Sequence, residues 1–457
     1  MKLTHALLLA VPVVALALTD ARDAAACGGC FVPPEESTQV TGHRMLLSVS
    51  PTETTLWDQI TYAGNPSSFA WILPTKGIVD VGLSSDALFA FVEQSTAVNV
   101  NPPPIICPGP PDGCQYPGLD DSFGGATGMS AGAGGGASGG VTVLAQSTVG
   151  PYETVQLKSD DPKALKTWLT SHNFAVPPDV QPIIDAYVAD HFDFLALKLV
   201  PGQGIESMRP VRVTSPGASP TLPLRMVAAG TGALTPITLW VVGEGRYETA
   251  NFDNFTIAPA SVIWNWDTQS SSYNTLKQAG FDKSGGNAWL TEAARPTSSF
   301  DLTNNVIQVA QNNASQSGYG DANGAGAVEE ATADVDKLVG NINPNSLWIT
   351  RLHGELPRAA LGKDLEVGAS ITQTTVENNI QTTLAVGTPP PCPIYDCGSA
   401  VDTGSAFFGN GLGTRSSASC GISLGGDHDR DRDRGAASLA GLGALVALAM
   451  IRRRKSR

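Results

Sequence analysis

The chain has 457 residues, 42% of them hydrophobic, which is enough to bury a sizeable core, and its 28 basic against 42 acidic side chains give a formal net charge of −14. The body is more acidic still, because the basic cluster Arg452 to Lys455 sits at the extreme C-terminus. Such a body repels phosphate backbones and anionic lipid, which argues against nucleic acid as a partner; solubility, a cationic partner or loosely held divalent cations fit the excess instead.

Lys2 and His5 precede an apolar run from Ala6 to Leu18, and a short polar stretch then ends in Ala24-Ala25-Ala26. This is the pattern of a secretory signal peptide over residues 1–26, with Ala24 and Ala26 as the small residues that signal peptidase reads. The apolar run is too short to cross a bilayer as a helix. The expected partners at this end are therefore the secretion machinery and its peptidase. Cleavage after Ala26 makes Cys27 the new N-terminus; lipidation of that cysteine is the alternative, against which stands Ala24 where lipoprotein signals carry Leu or a similar residue.

Beyond the leader, Met45 to Val49, Thr54 to Tyr62, Ser68 to Leu73 and Ile78 to Leu83 are β-prone runs split by Pro, Gly and Asn, and they predict an antiparallel meander. Ser84-Ser85-Asp86 offers an N-cap to a helix over Ala87 to Gln94. Residues 101–140 are Pro-, Cys- and Gly-rich and read as an exposed loop. Strands follow at Val141 to Ser147 and Tyr152 to Leu157, then helices from Asp161-Pro162 to Thr170 and from Val180 to Ala189, then a strand from Phe192 to Val200. Arg209 to Thr214, Leu222 to Ala228 and Pro236 to Gly243 are β-prone, residues 260–340 mix short helices with polar loops, and Ser346 to Leu352 and Leu365 to Thr372 close the body as strands. The expected fold is α+β, with a mainly antiparallel sheet and several short helices over residues 27–386, flanked by the signal peptide and a C-terminal sorting or transmembrane tail.

Seven cysteines fall as Cys27 and Cys30, Cys107 and Cys114, Cys392 and Cys397, then Cys420 alone. In an exported protein three close pairs read as three local disulfides, and Cys420 is left over. Cys27-Gly28-Gly29-Cys30 also has the C-x-x-C spacing of a redox or metal motif. It heads a loop into Phe31-Val32-Pro33-Pro34 rather than a helix, and no further pair of ligands at similar spacing accompanies it, so a structural disulfide is the favoured reading and no metal or cofactor is expected.

A Pro/Gly/Ser tether over residues 387–419 leads to Cys420-Gly421, an alternating Asp/Arg spacer from Asp427 to Arg434, an apolar run at 435–451 and the basic end. A helix over that run is about 25 Å long, the short end of what crosses a bilayer, and the terminal arginines hold it with the bulk outside. Cysteine, small apolar helix and the cluster Arg452-Arg453-Arg454 over residues 420–457 resemble the sorting signal of myxobacterial surface proteins, which implies a myxosortase-like protease acting at Cys420 and Gly421. The spacer here is longer than that pattern carries. A plain single-pass anchor is the alternative and predicts the same address.

No catalytic pattern stands above its bland reading. Gly136-Ala137-Ser138-Gly139-Gly140 spells a nucleophile elbow inside a Gly tract, without the strand-to-helix turn that the motif requires. His43, His172, His191 and His353 lie at no metal spacing and read as surface or structural histidines. Asp160-Asp161 and Glu329-Glu330 read as helix starts. Trp264-Asn265-Trp266-Asp267 puts two indoles on one side of a strand, where they stack on sugar rings or, beside Val262 and Ile263, simply fill the core.

The mature start Cys27 to Pro34, with Thr41-Gly42-His43-Arg44-Met45, Thr54-Thr55-Leu56-Trp57-Asp58-Gln59-Ile60, Phe69-Ala70-Trp71-Ile72-Leu73-Pro74, Met208-Arg209-Pro210-Val211-Arg212-Val213, Leu222 to Gly230 and Trp348-Ile349-Thr350-Arg351-Leu352, is similar to an uncharacterised family, a domain of unknown function, of exported proteins from myxobacteria and their relatives. The resemblance implies an address and no activity. The reading is a non-enzymatic, cell-surface or envelope-anchored protein that binds protein or polysaccharide; the competing class is an exported enzyme, either a hydrolase with a dispersed site or a thiol oxidoreductase using Cys27 and Cys30.

Overall fold

The computed structural model describes residues 30–31, 39–63, 70–107, 141–172, 180–201, 208–228, 234–314, 324–392, 394–396 and 421–423. Two compact units are distinguished: Met1–Pro104 with Asp121–Thr388, and Ile105–Asp120 with Pro389–Arg457. The fold is α+β and mainly antiparallel, as expected.

The first unit is built on an eight-stranded sheet in the order Asp253–Phe255, Ala288–Pro296, Leu347–Pro357, Leu234–Glu244, Gln39–Val49, Glu53–Ala63, Val211–Pro216 and Asp80–Leu83. Two of its pairings are parallel, Leu234–Glu244 with Gln39–Val49 and Asp253–Phe255 with Ala288–Pro296. A five-stranded sheet runs Cys30–Phe31, Ala70–Thr75, Asp193–Leu199, Tyr152–Lys158 and Thr142–Val149.

Seven helices are found among the described residues: α1 (Asp86–Thr96), α2 (Pro162–Ser171), α3 (Gln181–Ala189), α4 (Leu224–Val227), α5 (Tyr273–Lys283), α6 (Ser299–Ala314) and α7 (Gly324–Val339). Local chemistry starts two of them where the sequence places them. Ser85 caps α1 by accepting from Leu88 N, and Asp161 caps α2 by accepting from Lys163 N, with Pro162 at the first turn.

Strand alternation sorts the large sheet into two faces. Leu46, Trp57, Trp240, Val242 and Ile349 point to one side and bury against Phe89 and Val92 of α1, Leu302 and Val306 of α6, and Val335 and Leu338 of α7. On the other side Met45, Leu47, Leu239 and Leu352 pack beneath α4 and the 3-10 turn Arg358–Gly362. Further along, Val211 and Val213 meet Trp71, Leu73, Leu195 and Leu197 of the five-stranded sheet. That second sheet turns its remaining face, Ile72, Phe194 and Ala196, to Leu165 and Leu169 of α2 and Ile184 and Tyr187 of α3. Helices, sheet, sheet, helices is the order of layers, each sheet burying both faces.

Three expectations are corrected here. The meander dissolves after its first hairpin: Gln39–Val49 and Glu53–Ala63 pair, but Ala70–Thr75 joins the other sheet and Asp80–Leu83 pairs with Val211–Pro216. Leu222 to Ala228 is not a strand beyond Thr221–Leu222; Pro223 opens the turn of α4, whose Leu224 and Val227 are buried beneath the large sheet. Residues 260–340 hold a strand, Ala288–Pro296, and two helices of 16 residues.

The second unit contains the disulfide Cys107–Cys392, 285 residues apart in sequence. This corrects the local pairing expected for Cys107 with Cys114 and Cys392 with Cys397, since the chain brings the two segments together only through the fold. Ile394–Asp396 pairs antiparallel with Gly421–Ser423, so Gly421 and part of the expected tether are in strands.

Candidate functional site

Trp264 lies in the short strand Ile263–Asn265, which is held between Ser270–Ser271 and the parallel strand Leu384–Val386. The turn that follows is written in its residues. Asn265 Oδ1 accepts from Asp267 N at 2.9 Å and Thr268 N at 3.4 Å, and Gln269 takes φ of 49° to bring the chain back. Thr268 and Ser270 share a hydroxyl hydrogen bond of 2.8 Å, and Asp267 accepts from Thr388 N at 3.0 Å. Trp266 N donates to Val386 O at 2.9 Å, which pins the second indole to the parallel strand.

The two indoles meet edge to face with centroids 6.1 Å apart. Val262, immediately before them, is fully buried with Tyr273, Phe281 and Leu290, whereas Trp264 and Trp266 remain partly exposed outside that cluster. Among the described residues Trp264 Nε1 donates no hydrogen bond. The four residues that follow Trp266, Asp267, Thr268, Gln269 and Ser270, are exposed. Apolar ring faces flanked by hydroxyl, amide and carboxylate groups can stack on the C–H face of a pyranose and bond its hydroxyls at once.

A second polar region lies on the helix-bearing face of the large sheet. There the alternation that puts Leu46 and Trp240 in the core also puts Arg44 and Arg351 on the same side, Arg351 directly opposite Trp240 and Arg44 two residues before Leu46 on its strand. Both guanidinium groups lie over the Trp240 ring, at 5.5 and 5.1 Å. Charges then alternate outward. Glu93 of α1 meets Arg44 at 3.3 Å and Arg351 at 2.8 Å; Arg351 Nε donates to Glu292 at 2.7 Å. Lys277 of α5 lies 3.6 Å from both Glu292 and Glu355, and His353 lies 3.4 Å from Glu355. Glu292 sits at the register shift between Thr291 and Ala293, the irregularity that turns its carboxylate into the array. Each charge has an opposite neighbour, so the array joins α1 and α5 to the sheet.

His353 and, to a lesser degree, Lys277 hold the Glu355 carboxyl below its ordinary value against the opposing effect of burial. A carboxylate depressed in the folded state contributes stability above its unfolded pKa and loses it as pH falls through the folded one. Glu355→Gln is therefore expected to destabilise by less than about 1 kcal/mol near neutrality, with the difference from wild type shrinking as the pH falls below the ordinary carboxylate range and through the depressed folded value. Urea unfolding of both proteins across that range checks it; a difference that grows toward acid contradicts it.

The other sequence candidates are dispersed. Cys30 is in the edge strand Cys30–Phe31, paired with Ala70 and Trp71, which replaces the loop expected there. Ala24, Ala26, Cys27, Cys114, Ser138, Cys397, Cys420 and Arg452 to Arg454 lie outside the described residues. His172 is exposed and stacks on Trp168 at 3.8 Å, and His191 is exposed with φ of 59°. Glu330 is not at a helix start but inside α7, where it pairs with Arg209. His43 is buried and faces Asp58, a pairing that no sequence spacing announces. Among the described residues no cluster of three His, Cys, Asp or Glu side chains is placed to hold a metal, and no helix is long and apolar enough to cross a membrane.

Comparison with curated proteins yields no match. Among solved structures, a mutated baculovirus P35 after caspase cleavage is similar at 10% identity and a TM-score of 0.22, over 46% of this chain and 67% of that one. The sequence profile of an uncharacterised protein family conserved in bacteria, DUF2330, matches residues 21–361. That match spans both sheets, all seven helices and the tryptophan hairpin, and the chain belongs to this family.

Proposed function

We propose that the protein is an exported, envelope-held binding protein that grips polysaccharide through Trp264 and Trp266. The observation that carries this reading is the hairpin itself: two partly exposed indoles in edge-to-face contact, beside the exposed polar side chains of Asp267, Thr268, Gln269 and Ser270. The address rests on the sequence, in the leader ending at Ala26 and the ordered cysteine, apolar run and arginines of residues 420–457. In this reading the tail is a myxobacterial-type sorting signal, and the segment 435–451 holds the chain in the membrane until a protease acts at Cys420.

Affinity electrophoresis of the full chain through gels containing bacterial envelope polysaccharides tests the binding. Retardation is expected for the wild type and a loss of about tenfold in affinity for Trp264→Ala with Trp266→Ala, as the removal of stacked aromatic area predicts. Equal retardation of both proteins, or capture of envelope protein alone by both, overturns the polysaccharide assignment. Mass spectrometry of the termini from the native envelope checks the address; a chain that begins at Met1 and ends at Arg457 in the soluble fraction contradicts it.

A further inference from the structure

Two short parallel strands, Asn99–Asn101 and Asn379–Gln381, pair residue for residue, with Asn99 beside Asn379 and Asn101 beside Gln381. Alternation sends their middle residues inward, where Ile380 is buried and Val100 packs with Val262, Tyr273, Phe281 and Leu290. The outer four residues therefore put carboxamides on one face, about 5 Å apart across the strands and about 7 Å apart along them. Asn99, Asn379 and Gln381 are exposed, and Asn101 is half-buried.

These amides leave most of their bonding capacity unused. Asn99 Nδ2 reaches Asn101 Oδ1 and Asn379 Oδ1 at 3.4 Å each, longer than a good hydrogen bond, and Gln381 Nε2 donates to Pro102 O. Asn99 Oδ1, Gln381 Oε1 and the amide nitrogens of Asn101 and Asn379 have no partner among the described residues. A carboxamide presents donors and an acceptor side by side, a set that answers sugar hydroxyls, which donate and accept in turn. Exchanging two long internal bonds for bonds to a ligand costs little.

The patch is tied to the tryptophan hairpin by the chain itself. Ala385, the strand partner of Trp264, follows Gln381 by four residues, a reach of at most about 14 Å. The charges beside the two regions have one sign: Glu377, two residues before Asn379, is exposed, as is Asp267. Among the described residues no lysine or arginine hydrogen-bonds or ion-pairs with the four amides, the two indoles or Asp267. A polyanion would meet no counter-charge here and would be repelled by a chain of net charge −14. We propose that the polysaccharide is an uncharged one, and that Asn99, Asn101, Asn379 and Gln381 form a second subsite that hydrogen-bonds its hydroxyls. This rests on the polysaccharide reading of Trp264 and Trp266.

The test is affinity electrophoresis of the full chain through gels holding a neutral β-glucan, a neutral galactomannan or alginate, each at low and at high salt. Retardation is expected in a neutral gel, unchanged by salt, and none in alginate. Asn99→Ala with Asn379→Ala is expected to bind about threefold to tenfold more weakly, with the fold intact in a thermal scan because both side chains are exposed. Asn379→Ala alone serves as the readout if the double variant does not fold, with the same direction expected. Equal retardation of wild type and amide variants, while Trp264→Ala with Trp266→Ala loses it, overturns the subsite and leaves the hairpin reading in place. Retardation in alginate, or retardation that falls as salt rises, overturns the uncharged assignment. No retardation in any gel overturns the subsite and the hairpin reading together.

Discussion

Asp334→Ala is expected to destabilise the first unit by about 3–5 kcal/mol, the range seen when one partner of a buried ion pair is removed. Asp334 is fully buried on α7 and its carboxylate collects four donors. Trp57 Nε1, Ser84 Oγ and Ser85 N each donate at 2.8 Å, and Arg212 does so at 2.9 Å. One side chain thereby ties α7 to two strands of the large sheet and to the capped start of α1. Burial pushes its carboxyl above the ordinary carboxylate range, against the pull of Arg212 and the other donors, which marks how much hydration the group gave up. Alanine leaves a guanidinium, an indole N–H and a backbone N–H facing one another in a space that excludes water. Urea unfolding followed by tryptophan fluorescence measures the loss; a change below about 1 kcal/mol would show the network to be no more than a surface-like pairing.

The second large effect belongs to Cys107 and Cys392. Non-reducing peptide mapping is expected to recover the two cysteines in one cross-linked product, and replacing both by serine to cost about 2–4 kcal/mol. The reason is chain entropy. A cross-link closing 285 residues of sequence restricts the unfolded chain far more than the short loops of adjacent cysteines do. Recovery of Cys107 with Cys114 and of Cys392 with Cys397 would refute the long-range bridge and restore the local scheme.

The parts legible in the sequence are those whose cause is local. The helix starts at Ser85 and Asp161 were readable because a cap is a hydrogen bond to a backbone N–H two or three residues on. The hairpin of Gln39–Val49 with Glu53–Ala63 was readable because its strands are neighbours joined by a Pro/Thr turn. Ala288–Pro296 was not: Ala-Trp-Leu-Thr-Glu-Ala-Ala-Arg-Pro has little β-branched character, and it is a strand because it is buried between Asp253–Phe255 and Leu347–Pro357. The tryptophan pair was visible as a pattern, but only the tertiary structure shows Val262 buried in the core and both indole rings partly exposed beside it.

The sequence by itself determined the α+β class, the acidic body and the chemical order of the two ends, because propensity, period and charge are properties of short segments. Only the tertiary structure decided which strands became partners, which cysteine met Cys107, and that Asn99 and Asn101 lie beside Asn379 and Gln381. Those outcomes depend on contacts between segments far apart in the chain, where side-chain alternation sets the face but the competition among all possible strand pairings selects the neighbour.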